Sequence, residues 1–278
     1  MSLSQRIAFI GAGNMAMALI EGLIAARTLP ASNIIASDPR AEVLAQLAAK
    51  HGFEAAPDNL HAVRAADVVV LSMKPQIFPT VLPEIATALS HSPLVISIAA
   101  GVPLSAIEAR IGASTRVVRA MPNTPALVAV GATAIAAGSL ATEADMQVAE
   151  AVFRAVGIVK RVEERFMDAV TALSGSGPAY VFLLAEAMTE AGIAAGLPAD
   201  VAAAFATQTV SGAGKLLGAS PEPPATLRRN VTSPGGTTQA ALETFEAGGF
   251  RELVTKAVLA ATKRGEELGA EAARKLSS

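Results

Sequence analysis

Cysteine is absent from this 278-residue chain, and histidine occurs only three times. The first absence excludes disulfides, thiolate metal sites and a cysteine nucleophile. The scattered His51, His61 and His91 offer no ligand spacing, so no metal centre is expected. Charge is also scarce: 17% charged residues and a net charge of −2 leave no basic stripe for nucleic acid and no cationic face for a membrane. Small molecules and further copies of the chain remain as partners. Long spans of membrane type are missing too. Ile85–Ile107 and Ala120–Thr142 carry no Asp, Glu, Lys or Arg, but prolines and glycines at turn spacing divide them into short β-branched stretches. Such stretches read as buried strands with alanine-rich helices. Arg6 precedes an apolar run, as in a signal peptide, yet Asn14 and Glu21 interrupt that run. The segment therefore reads as mature structure and the protein as cytoplasmic.

What is present is 52% hydrophobic material, ample for one large core or two ordinary ones. In the first half, β-branched runs at Ile7–Ile10, Asn33–Ser37, Asp67–Leu71, Leu94–Ile98 and Arg116–Arg119 alternate with segments of helical period. A strand at Ala132–Ala136, a helix over Glu143–Ala155 and a strand near Ile158–Val162 follow. The pattern is that of an α/β Rossmann-type domain with a mostly parallel sheet. Strand signals stop near Glu163, which divides the chain into a nucleotide-binding domain over 1–162 and an all-α domain over 163–278. Helices are expected at Arg165–Leu173, Pro178–Ala195, Pro198–Leu217, Thr238–Ala247 and Phe250–Leu268, with Pro221–Pro224 as a break. Several are apolar around most of their circumference, which calls for burial against a partner subunit or within a compact bundle.

Residues 6–20, R-I-A-F-I-G-A-G-N-M-A-M-A-L-I, end a strand in a G-x-G-x-x-A turn that opens a helix. Gly11 permits the tight turn, Gly13 lets a pyrophosphate approach the backbone, and Ala16 allows close helix–strand packing. A second strand ends at Ser37-Asp38, 22 residues after Ala16. Asp38 suits the ribose hydroxyls of NAD, whereas Ser37 and Arg40 suit the 2′-phosphate of NADP, so the two signals conflict. The loops Ser72-Met73-Lys74-Pro75-Gln76 and Ala120-Met121-Pro122-Asn123-Thr124-Pro125 follow strands, where ligands of open α/β sheets bind. A plain surface lysine at 74 and a turn-forming Asn123 are the competing readings. Near the C-terminal end, N-V-T-S-P-G-G-T-T-Q-A-A (230–241) interrupts helix with a proline and two glycines. It then resumes, pointing free N–H groups at a small anion. Tyr180 reads as a buried phenol, and Asp168, Glu186 and Glu190 as solvated or interface charges.

Five stretches in this order, G-A-G-N-M, M-K-P-Q, R-A-M-P-N-T-P-A, S-G-S-G-P-A-Y and V-T-S-P-G-G-T-T, resemble pyrroline-5-carboxylate reductase, from residue 6 to about 270. The resemblance implies reduction of 1-pyrroline-5-carboxylate to L-proline by NADPH, or by NADH in some members. It also implies a helical domain that dimerises, with dimers joined in rings such as a decamer. By motif match, Gly11, Gly13, Asn14 and Met15 cradle the pyrophosphate, and Met73, Lys74 and Pro75 flank the cofactor. Met121, Pro122 and Asn123 hold the nicotinamide, and Asn59 lies near the adenosine ribose beside Ser37, Asp38 and Arg40. Ser233, Gly235, Gly236, Thr237 and Thr238 hold the substrate, with Ser174 and Ser176 in the wall. Thr238 is the candidate to bond the ring nitrogen and relay a proton, as no imidazole falls in these motifs. Another cyclic imine or a β-hydroxyacid as substrate, and a nucleotide sensor without turnover, are the alternatives.

Overall fold

The computed structural model describes residues 3–112 and 114–277. Met1, Ser2, Ala113 and Ser278, which the two expected domains include, lie outside the described residues. In chain order the first elements are β1 (Ile7–Ile10), α1 (Asn14–Ala25), β2 (Ile34–Ser37), α2 (Ala41–His51), β3 (Glu54–Ala55), α3 (Asn59–Arg64) and β4 (Val68–Leu71). There follow α4 (Phe78–Ala86), β5 (Leu94–Ser97), α5 (Leu104–Ile111), β6 (Arg116–Met121), β7 (Gly131–Ala137), α6 (Glu143–Arg154), β8 (Gly157–Arg161) and α7 (Met167–Val170). The strands join in one sheet of order β3-β2-β1-β4-β5-β6-β7-β8. All neighbours are parallel except β6 and β7.

Every residue of β1, β2, β4 and β5 is buried. Helices cover both faces of a parallel sheet, and continuous apolar runs such as V-V-V-L suit that position. Alternation along β1 sends Ile7 and Phe9 to one face, with Leu19, Leu23 and Phe153. Ala8 and Ile10 go to the other, with Phe78, Leu82 and Ile107. The strand order reverses at β1 and β4, so the crevice at their C-terminal ends is the switch point where such sheets bind ligands.

The described residues fall into two compact units, one running to Gly175 and resuming at Ala261, the other Ser176–Ala260. The helical composition begins at Glu163, but Met167 and Leu276 are fully or nearly buried in the core of the sheet-containing unit. Packing there draws in residues on both sides of the helical segment. The second unit contains α8 (Gly177–Ala194), α9 (Ala199–Ala219), α10 (Pro224–Asn230) and α11 (Thr237–Ala247), and α12 (Phe250–Ser277) begins within it. α8 and α9 pack so closely that a Cβ on Gly192 would meet the Ala202 methyl at 3.1 Å. Few of their side chains are buried: Phe182 and Leu183 are 64% and 65% exposed, and Phe205 64%. Helices with so narrow a polar face call for a further surface, as their composition predicts.

Four details differ from the sequence reading. β3 comprises two exposed residues with no apolar signature. The helix expected over Arg165–Leu173 breaks into a 3₁₀ turn, α7 and a π-helical segment at Thr171–Gly175. The Pro221–Pro224 break is itself a helix start, since Pro223 caps α10 and Pro224 fills its first position, where no amide donor is needed. Finally, α12 runs nine residues past the expected end, Leu268.

Candidate functional site

The crevice is built around Gly11. Its φ is +97°, and a Cβ there would lie 3.1 Å from the Ser72 carbonyl oxygen, so both conformation and space require glycine. The Ser72 hydroxyl donates to the Gly11 carbonyl at 2.7 Å and reaches the Ile10 carbonyl at 3.1 Å, stitching the ends of β1 and β4 together. Gly13 is the N-cap of α1, with open space where a side chain would stand. The amides of Asn14, Met15 and Ala16 head the helix, and the first of the helix's bonds to Gly13 comes from Met17. A run of unpaired N–H groups behind a glycine with free space in front fits the pyrophosphate of a dinucleotide. Ala16 is fully buried, which gives the close packing its position calls for.

Asp38 stands at the end of β2. Its carboxylate accepts the Ala12 amide at 2.9 Å and the Arg40 amide at 3.0 Å, and the Arg40 guanidinium takes both of its oxygens at 2.8 and 2.9 Å. The Arg40 contacts above all pull its pKa down to about 2, with the Ala12 amide adding to them against the opposing effect of burial. Asp38 is thus ionised at neutral pH and bonded to the glycine loop itself. The structure pairs the two residues that the sequence set in conflict. Beside them a cleft of about 310 Å³ is lined by Gly11, Ser37, Asp38, Asn59 and Met73, all expected cofactor residues, and by Glu84 of α4. The Ser37 hydroxyl donates to Asn59 Oδ1 at 2.6 Å, and Asn59 Nδ2 faces both oxygens of Glu84 at 3.3 and 3.4 Å.

Lys74 caps the 3₁₀ turn Pro75–Ile77 and is exposed. On the loop after β6, Pro122 is buried and Asn123 is held on two sides. Its Nδ2 donates to the carbonyl and hydroxyl oxygens of Ser174 at 3.2 and 3.1 Å, while Oδ1 accepts the Ala132 amide at 2.8 Å. Asn123 therefore ties this loop to the π-helical segment; its role is wider than turn formation. Met121 lies against the same segment, where a Cβ on Gly175 would be 2.5 Å from the methionine methyl. A π-segment at such a place is a recurrent functional feature. Asp168 is not a free surface charge: it lies 3.5 Å from the buried Arg119 of β6, which also bonds Glu164 at 3.1 Å. That buried guanidinium fixes the strand leading into Met121-Pro122-Asn123.

In the second unit, Ser233–Thr238 forms a turn that opens α11. Gly235 has φ +70° and Gly236 is the N-cap. The amides are shared differently from the sequence expectation. Gly235 N–H donates to Gln239 Oε1 at 2.7 Å and Gly236 N–H to the Ser233 carbonyl at 3.0 Å. Among the described residues, the amides left without an acceptor are that of Ser233 and those of the first turn, Thr237, Thr238 and Gln239, so the two glycine amides do not face an anion as the sequence suggests. Gln239 was legible, because a Gln at the third helical position is a capping signature. Its Nε2 donates on to Glu243 at 2.7 Å. Thr238 is half-buried, and its hydroxyl has no bonding partner among the described residues. Ser176 precedes α8, whose second residue is Pro178. The histidines lie elsewhere: His51 near Glu21, His61 near Glu54, and His91 on the Ala66 carbonyl.

Comparison with known proteins adds kinship to this geometry. A family model for pyrroline-5-carboxylate reductase dimerisation matches residues 164–268, and one described as NADP oxidoreductase, coenzyme F420-dependent, matches residues 6–101. The pyrroline-5-carboxylate reductase of Pseudomonas aeruginosa is 48% identical over 95% of this chain and 96% of its own length. Among solved structures, that of a pyrroline-5-carboxylate reductase from Coxiella burnetii superposes with a TM-score of 0.91 at 41% identity, covering 96% of this chain and 99% of the other. The Plasmodium falciparum pyrroline carboxylate reductase with NADP bound follows, with a TM-score of 0.84 at 30% identity, covering 97% and 100%.

Proposed function

The chain belongs to the pyrroline-5-carboxylate reductase family, and from that premise we propose that it reduces 1-pyrroline-5-carboxylate to L-proline with a nicotinamide cofactor. The cofactor, when bound, supplies the hydride. Gly11, Gly13, Asn14 and Met15 hold its pyrophosphate, Ser37, Asp38, Arg40 and Asn59 its adenosine ribose, and Met73, Lys74, Pro75, Met121, Pro122 and Asn123 its remaining length. The observation that carries the substrate assignment is the first turn of α11. Three unpaired amides behind a glycine turn suit one small carboxylate, each charge-assisted bond contributing about 1.5–3 kcal/mol. Ser233, Gly235, Gly236 and Thr237 shape that seat, and Ser174 and Ser176 the wall. Reduction of the imine needs a proton on nitrogen as well as hydride on carbon. Thr238 holds that nitrogen and passes a proton from water; positioning and fixed dipoles do the remainder.

Oxidation of NADPH and, separately, NADH by 1-pyrroline-5-carboxylate, followed by loss of reduced-nicotinamide absorbance, tests the reaction. Absence of turnover with both would overturn it. Thr238→Ala should lose about 1–3 kcal/mol of transition-state stabilisation, read as kcat/KM, while Thr238→Ser keeps most of it. Full activity in the alanine variant would remove Thr238 from the mechanism. NADPH is the preferred donor in this reading, through Arg40. Arg40→Ala should then lower kcat/KM for NADPH about tenfold and leave NADH unchanged.

The functional division we propose is nucleotide binding over 1–162 and substrate binding with dimerisation over 163–278. The matched dimerisation model and the apolar exposed helices support a homodimer. Assembly of dimers into a decameric ring, and residence in the cytoplasm, complete the proposal; light scattering of the purified protein measures the first. Among the described residues no helix is long and apolar enough to cross a membrane.

A further inference from the structure

The adenosine-side cleft contains a charge that the hydride-donor reading does not use. Glu84 projects from α4 into the wall that Ser37 and Asn59 also line. Two other carboxylates line the cleft, and both are engaged. Asp38 carries the Arg40 guanidinium, and Asp58 caps α3 by accepting the His61 amide at 2.6 Å. Glu84 has no cation within ion-pair distance among the described residues, and only the Asn59 amide faces it. Its negative charge is therefore uncompensated inside the cleft.

The polarity of the hydrogen-bond relay follows from that charge. A carboxylate accepts only, so Asn59 must turn its NH₂ toward Glu84 and its carbonyl oxygen toward Ser37. Ser37 then spends its hydrogen on Asn59 and presents oxygen lone pairs to the cleft. That arrangement receives the proton of a ribose 2′-hydroxyl. It is the wrong polarity for a 2′-phosphate, which needs donors and is also repelled by the carboxylate at the end of the relay.

We infer that Glu84 is a specificity-determining residue that, through Asn59 and Ser37 and through its own charge, disfavours the 2′-phosphorylated cofactor relative to the unphosphorylated one. Arg40 pulls the other way, so the selectivity of this chain is set by the pair Arg40 and Glu84 together. The inference rests on the reading that a dinucleotide occupies this cleft.

The test is calorimetric titration of the intact oligomer with NADPH and NADH, for the wild type, Glu84→Gln and Glu84→Asp. Gln keeps the size and the acceptor for Asn59 but removes the charge; Asp keeps the charge. NADPH should bind Glu84→Gln about fivefold more tightly, with NADH changed less than about twofold, and raised salt should shrink the difference. Glu84→Asp should keep the wild-type ratio. An unchanged ratio in Glu84→Gln, or an equal shift for both nucleotides, would reduce Glu84 to a shape-filling wall residue and overturn the inference. So would an Asp variant that behaves like Gln. If neither nucleotide bound the wild-type protein, the donor reading itself would fall and the inference with it, a result distinct from two nucleotides bound with an unmoved ratio.

Discussion

Gly157→Ala should lower the thermal unfolding midpoint by roughly 10 °C or more, from a loss of about 3–5 kcal/mol. The glycine pairs with Gly131 across β7 and β8, and the two backbones approach so closely that a Cβ at 157 would stand 1.9 Å from the Gly131 carbonyl oxygen. No rotamer relieves a clash with main chain, so the strands must part and lose rungs such as the 2.8 Å bond from Gly131 N–H to the Val156 carbonyl. A backbone angle of φ +154° adds strain for any L side chain. The damage reaches the site, because β7 starts beside Ala132, whose amide Asn123 accepts. Circular dichroism melting reads the effect. An unchanged midpoint would mean that the sheet edge carries no part of the cooperative fold.

Gly11→Ala should weaken dinucleotide binding about 100-fold, measured by calorimetry at a temperature where the variant remains folded. Alanine at φ +97° costs about 1–2 kcal/mol on its own. The remainder comes from contact, since the new methyl meets the Ser72 carbonyl at 3.1 Å and the Met73 amide nitrogen at 3.2 Å. Neither partner is free to move. The Ser72 amide is bonded to the Ile10 carbonyl at 3.0 Å, and Gly11 N–H to the Ser37 carbonyl at 2.8 Å. The loop must therefore shift, taking with it the amides proposed to receive the pyrophosphate. Affinity within threefold of wild type would show that those amides do not set nucleotide binding.

The parts of this molecule that speak in periodic patterns were legible in the sequence. The β-branched runs of β1, β4 and β5 were found within about a residue, because strands buried on both faces have few other compositions open to them. The glycine turn before α1 was legible for a similar reason, as few other residues satisfy both its angle and its clearance. What escaped is non-periodic. Glu84 lies 25 residues after Asn59 and 47 after Ser37, and it joins those two expected residues only once the sheet has formed. A lone acid in the apolar stretch P-T-V-L-P-E-I was the sole signal. Arg119 reads as an ordinary strand end until β6 is seen to bury it beside Glu164 and Asp168. The two-residue β3 has no hydrophobic pattern to detect. At the α11 turn, residue types indicated an anion seat, but the division of its amides depended on where the Gln239 side chain lies.

The exposed Phe182, Leu183 and Phe205 bear on more than assembly. Apolar surface that a subunit covers only by pairing links folding to mass action: the paired state gains on the unfolded chain as the protein becomes more abundant. Dilution alone then moves such a chain toward unfolding, with no change in temperature, pH or solvent. If the proposed homodimer forms through these side chains, the chain's own concentration acts as its stabilising ligand.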